Sequence, residues 1–323
     1  MSDDIYSNVL ADEFLPGVMY PFNWSVLAEI MDSSWNRIRR DLRVEGEDLQ
    51  FVRTFFHHAY WNLSKIAAVL KTAGVTQTII DRLFESPMAR GYFTLDDATA
   101  DRVLDIGRSA IALNLEQAIL ESEGQLVEIQ RKQGKWETEE EMLQEFDQVL
   151  NVVREVIFRE TSAWLLVGIN FSLLDEWTGH LPDTIKRKHH EPAIVRMSQE
   201  KMDEVRSTAN RFHSYWETAR SVRAMGRSMG EERLFALGER FVSWNLLEAK
   251  EDVRYLTVHE ISQIVSGGCA TNTCNNYALR ARVRRTEMDQ HSADGLPAVI
   301  RGETAPILPW RKERKLPSHN GER

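Results

Sequence analysis

The sequence predicts a mainly α protein, a helical domain with long core helices and one small β-hairpin. Three observations carry this. Apolar residues recur at helical spacing over two long stretches, Leu95 to Lys132 and Glu137 to Gly179. The second half of the latter, SAWLLVGINFSLLDEW, is apolar nearly all round, as in a helix buried in the middle of a bundle. Aromatic and β-branched residues crowd Gln50 to Leu63, where Phe51, Arg53 and Phe55 share one side in a period-two reading.

The elements follow in order. Pro16 and Pro21 bias the residues before them away from helix, and Gly17 permits a left-handed turn, so Phe14 to Leu27 makes a kinked entry into a helix. That helix is expected over Asn23 to Asp41, capped by Asn23 or Ser25, with its RIRRDLR end solvated. The hairpin turns at or near His57-His58. Ser64 to Phe84 reads as two short helices broken at Gly74, and Pro87 and Gly91 mark a loop. Val103, Ile106, Ala110, Leu113, Ile119 and Leu126 make Leu95 to Lys132 one long helix. The ETEEEM start of the next helix suits the positive end of a helix dipole, and solvated carboxylates there outweigh a metal site. His180 to Glu200 is a loop containing the basic run KRKHH. Ser198 to Leu247 is helical, with an interruption expected near Gly226 to Gly230. Thr257 caps a helix from Val258, with Glu260 at the capping-box position. Tyr277 to Gln290 is a basic helix. The expected organisation is one domain over residues 1–305, divisible at 94/95, and a flexible tail over 306–323.

Composition narrows the functions. A net charge of −9 argues against a nucleic-acid partner. The longest apolar run, Trp164 to Ile169, is too short for a membrane span. The acidic N-terminus lacks the order of a signal peptide, and Cys269 and Cys274 make no disulfide framework, so a cytoplasmic location is expected. There is no P-loop and no GxGxxG phrase. The Gly267-to-Asn272 loop reads as coincidental. A zinc site at the two cysteines would need two further ligands, which nothing organises, so no metal is expected on this chain.

The wording of several segments resembles the helical, acceptor-binding region of the PEP-synthase-like dikinases, which include rifampin phosphotransferases and aryl phosphate synthases. Phe14 to Leu27 (FLPGVMYPFNWSVL) resembles their P-G-x-x-[ST]-P-[LF]-x-[WT]-S segment, with Tyr20 where the family has Thr or Ser. Tyr60, Asn62, Leu63 and Ser64 match a Gly-Arg-x-Tyr-x-Asn-Leu-Ser phrase, with His57 and His58 in place of Gly-Arg. Leu237-Gly238 followed by Asp252 to Ile261 matches a Leu-Gly helix and an Asp-Val-x-Tyr-Leu-Thr-x-x-Glu-[IL] element. Leu296 to Gly302 is similar to a Pro-x-x-Ile-x-Gly phrase. In Glu217 and Arg220 the chain keeps two positions of an Arg-Glu-x-x-[KR] phrase, with Trp216 in place of its Arg.

The resemblance implies an acceptor-binding subunit of an ATP-dependent phosphotransferase, inactive alone. A partner chain with an ATP-grasp domain and a phosphohistidine would use ATP and Mg, giving AMP and phosphate; this chain would bind no cofactor itself. It implies catalytic roles for Glu217 and Arg220; the helical row Glu217, Arg220, Arg223 and Arg227, at spacings of three and four, adds Arg223 as a further charge that could neutralise the phosphoryl group, with an ion-pair ladder within the helix as the alternative. His57 and His58 are further candidates, although neighbours on a strand face opposite ways. Met19, Tyr20, Phe22, Trp24, Phe55, Tyr60 and Trp216 are the candidate substrate contacts, and their aromatic character suits a phenol- or cresol-like acceptor. Two other readings stay open: a non-catalytic binding protein for an apolar aromatic molecule or a rifamycin-like antibiotic, and a helical scaffold without a ligand.

Overall fold

The structure is a computed structural model that describes residues 4–8, 11–14, 19–55, 57–84, 94–132, 136, 138–174, 194–195, 197–267, 276–291 and 299–302. Within them the protein is mainly helical. Strand β1 (Ile5–Ser7) and the short helix α1 (Ala11–Phe14) precede helix α2 (Pro21–Asp41). Strands β2 (Val52–Phe55) and β3 (His58–Asn62) form the hairpin, followed by α3 (Leu63–Thr72) and α4 (Gln77–Leu83). Then come β4 (Thr94–Leu95), α5 (Asp97–Gly107), α6 (Leu115–Arg131), α7 (Glu139–Leu173), β5 (Ile194–Val195) and α8 (Gln199–Ser243). A 3-10 turn (Lys250–Tyr255), α9 (Val258–Val265), α10 (Tyr277–His291) and β6 (Val299–Arg301) complete the order.

Helices α7 and α8 are the axis of the fold. The ion pairs Glu139–Arg240, Glu145–Arg233 and Glu160–Arg223 link them, and pairing of rising with falling residue numbers makes them antiparallel. Thr138 and Glu141 close a reciprocal capping box at the start of α7, so its acidic first turn serves the helix end. Every residue from Glu160 to Asn170 is buried, as the all-round apolar run predicts. A single apolar cluster spans residues from Ala11 to Ala281, crossing the 94/95 position.

Several expectations are corrected. The hairpin belongs to a four-stranded antiparallel sheet of order β2-β3-β1-β6. Strands β1 and β6 are three residues each, too short to show a period. The span from Leu95 to Lys132 is two helices. The chain turns between them, with Asn114 at φ 55° and Leu113 66% exposed, so the apparent stripe does not continue on one face. Helix α8 runs unbroken through Gly226 and Gly230. At Gly226 the requirement is space: a Cβ would lie 2.6 Å from Cγ2 of Val153 on α7. Helix α2 starts at Pro21, with Tyr20 as its N-cap residue and no side-chain cap bond. Ser25 Oγ instead donates to the Phe22 carbonyl inside the helix. The RIRRDLR end is only partly solvated, because Arg39 is buried and donates to the carbonyls of Val44 and Gly46. Pro16 and Gly17 of the expected kinked entry, Pro87, Gly91, the KRKHH run, both cysteines, Phe56 and the tail from 306 lie outside the described residues.

Candidate functional site

Phe14 and the segment from Met19 to Ser25 are where distant parts of the chain meet. Met19 N–H donates to the carbonyl of His57 at the hairpin bend, 2.6 Å away. His57 has φ 61°, a conformation in which His is more common than most residues. The Phe14 ring packs on Trp61 of β3, centroids 5.0 Å apart, and meets Trp164 of α7 edge-on at 6.2 Å. Tyr20 meets Tyr255 edge-on at 5.4 Å, and the Arg254 guanidinium lies 5.5 Å from the Tyr20 ring. Ser25 Oγ accepts from Val258 N–H at the first residue of α9. Strand β6 joins β1, which pairs with β3, so the chain near Gly302 reaches the same sheet.

Helix α8 adds the charged part. Arg223 Nε donates to Glu160 at 2.6 Å, and Arg223 Nη1 donates to the Phe14 carbonyl at 2.9 Å. Glu160 is 1% exposed. Burial pushes its carboxyl above the usual carboxylate range, opposed chiefly by Arg223. Arg220 and Glu217 also act on it through space, Arg220 favouring the charged form and Glu217 disfavouring it. Arg220 and Glu217 pair with each other at the surface, 3.2 Å apart, with the Arg220 guanidinium 5.1 Å from the Trp216 ring.

The predicted residues therefore separate. Arg223 faces the core beside Glu160, whereas Glu217 is exposed and Arg220 half-buried. Trp216 is buried and meets His213 edge-on. Met19 and Phe22 are core residues, Phe22 packing on Phe146, and Trp24 is partly buried against the same cluster. Phe55 and Tyr60 do not join them: with Tyr6 and Ile300 they form a separate small cluster. Alternation along β3 explains the split, since Tyr60 points away from the face that carries Ala59 and Trp61. His57 and His58 are both partly exposed at the bend.

Sequence reasoning passed over Glu160, Phe14 and Trp164. The readable signal was Glu160 four residues before Trp164, a carboxylate at the edge of a run apolar all round. The cleft of about 280 Å³ lined by Trp136, Glu141, Glu145 and Lys132 lies away from these groups. Its acids are committed, Glu141 to the α7 cap and Glu145 to Arg233 and the Trp136 indole. Among the described residues no group of three or more His, Cys, Asp or Glu is placed to hold a metal, and no helix is long and apolar enough to cross a membrane. His259 sits beside Gln263 on α9.

Comparison of the chain with protein-family models, curated proteins and solved structures finds no match.

Proposed function

We propose that this chain is the acceptor-binding part of an ATP-dependent phosphotransferase of the PEP-synthase-like kind. The observation that carries the reading is convergence. Segments whose wording resembles that family are spread over most of the chain, yet Phe14, Met19, Tyr20 and Ser25 of the first touch His57 and Trp61 of the second and Tyr255 and Val258 of the third, and Arg223, three residues beyond the Glu217–Arg220 phrase, binds the Phe14 carbonyl. In this reading ATP, Mg and the phosphohistidine belong to a partner chain. This chain orients an aromatic hydroxyl, excludes water and supplies positive charge to the transferring group. Arg220, near the surface, is the residue that a docked partner reaches first, with Arg223 behind it.

The test is reconstitution. The purified chain, an ATP-grasp/phosphohistidine protein, ATP, Mg and a phenol are expected to give an aryl phosphate and AMP, followed by phosphorus NMR. No product with any such partner, or turnover by this chain alone, would overturn the proposal.

A further inference from the structure

We propose that Glu160 and Arg223 bind the hydroxyl of a phenol or aryl alcohol whose ring takes the place Phe14 now holds against Trp61 and Trp164, with Glu160 accepting the hydroxyl proton. The inference deepens the acceptor-binding reading and rests on it for the transfer step. The binding site itself can be tested without any partner.

The geometry of Phe14 suggests the ligand. Its phenyl ring packs on Trp61 and meets the edge of Trp164, and the Arg223 guanidinium lies 5.9 Å from its centroid. Its carbonyl oxygen takes an N–H of Arg223, whose Nε is already bound to Glu160. One residue thus offers an aromatic ring to a tryptophan wall and an oxygen to an arginine–carboxylate pair. In a phenol the oxygen sits on the ring itself, and the Arg223 guanidinium, 5.9 Å from the Phe14 ring centroid, is within reach of a hydroxyl on a ring in that place. The surroundings also hold an unspent donor, because the buried Trp61 indole N–H has no hydrogen-bond partner among the described residues.

Packing alone gives no reason for the charges. Apolar side chains of similar volume in place of a buried ion pair are often as stable or more so. A carboxylate and a guanidinium meeting beneath an aromatic ring do have a chemical use. Burial and the apolar wall raise the proton affinity of Glu160 and suit it to receive a proton from a weakly acidic hydroxyl. In the transfer step the acceptor O–H bond breaks and its proton goes to the Glu160 carboxylate. The oxygen forms a bond to phosphorus as the P–N bond of the partner chain's phosphohistidine breaks. The electron pair of that bond returns to the imidazole, and the proton on Glu160 passes to the same nitrogen. Atoms and charge balance without another reactant.

Binding is measured first, on the full chain, by calorimetry with p-cresol and with toluene, which differs by lacking the hydroxyl. The wild type is expected to bind p-cresol at least ~10-fold more tightly than toluene, the scale of a hydrogen bond to a charged group. Glu160→Gln is expected to remove most of that preference. If Glu160→Gln does not fold, Glu160→Met combined with Arg223→Met removes both charges together and carries the same test. No p-cresol binding by the wild type, or a preference unchanged in these variants, overturns the inference. With an active partner, Glu160→Gln is expected to lower kcat ~100-fold or more for phenol. The loss should shrink for p-nitrophenol assayed above pH ~8, where it is largely ionised and phenol is not; a merely structural role would cost both substrates alike, and that result also overturns the inference. If p-cresol binds in a Glu160-dependent way but is never phosphorylated, the site stands and the phosphotransferase reading fails.

Discussion

Replacing Gly238 by alanine tests whether the phrase Leu237-Gly238 is written for packing. Gly238 lies inside α8, where alanine should gain about 1 kcal/mol in helix propensity. A Cβ there, however, would stand 2.3 Å from the carbonyl oxygen of Lys250, 3.1 Å from its carbonyl carbon and 3.2 Å from its Cα. A carbon–oxygen contact needs about 3.3 Å, so the two backbones must part by roughly 1 Å. Neither is the flexible end of a side chain. Lys250 opens the 3-10 turn, which is held by the Asp252 side chain accepting from Ala249 N–H and by Arg285 on Asp252. The same turn carries Arg254 and Tyr255 to Tyr20. Over-packing of this kind costs about 3–4 kcal/mol against the gain of about 1, leaving a net loss of about 2–3 kcal/mol. At an unfolding entropy of ~2.1 cal/mol/K per residue, that lowers Tm by roughly 3–4 °C in a chain of this length. Gly124→Ala on α6 is the control: no atom lies within 4 Å of its added Cβ, and it should stabilise by about 0.5–1 kcal/mol. Thermal melts of both variants decide the matter. Gly238→Ala melting at or above the wild type would show that the close approach is not a constraint.

Arg223→Met leaves the Glu160 carboxylate buried without its partner and should cost about 3–5 kcal/mol in urea melts, most of it restored by adding Glu160→Met. Arg220→Ala breaks the pair with Glu217 and removes the guanidinium over the Trp216 ring, so stability should fall by no more than about 1 kcal/mol while phosphoryl transfer with the partner falls sharply. Burial acts to raise the Glu260 carboxyl, but Arg284, the Thr257 N–H and Arg280 outweigh it and hold it at about 2, against 4.5 for the free group. Because the folded value is the lower one, the stabilisation is complete above pH 4.5 and is lost as pH falls from there towards 2. Its size is about 1–2 kcal/mol after screening at the exposed side of Arg280, and acid titration of Glu260→Gln should lack that part of the pH dependence.

The helices were legible where periodicity and caps agreed. Thr257 and Glu260 form the capping box their spacing predicts, and the hairpin bends at His57 as expected. The misses share a cause. Gly226 in a helical pattern reads as a break when only the chain is visible. It becomes a contact once Val153 is known to lie opposite. Arg39, in a charged helix end, reads as solvated until the loop from Val44 to Asp48 folds back and offers it two carbonyls and a carboxylate. Both errors assign a local meaning to a residue whose partner is distant in sequence.

The candidate site shows the same limit more sharply. Arg220 and Arg223 are both arginines of one helix row, three residues apart, and their spacing offers no way to tell which faces the core. A rotation of about 300° along an α-helix sends one to the surface and the other beneath Phe14. Glu160 is harder still, because in VREVIFRETSAWLL it looks like any acid on a helix. What sets it apart is that α8 lies antiparallel on α7 in a register that places Arg223 opposite it. Gly226 makes room for that approach, since a Cβ there would lie 2.6 Å from Cγ2 of Val153 on α7. A glycine that seemed to interrupt a helix thus helps to bring the buried carboxylate to its arginine, and a larger residue at Gly226 should disturb the Glu160–Arg223 pair from a turn away.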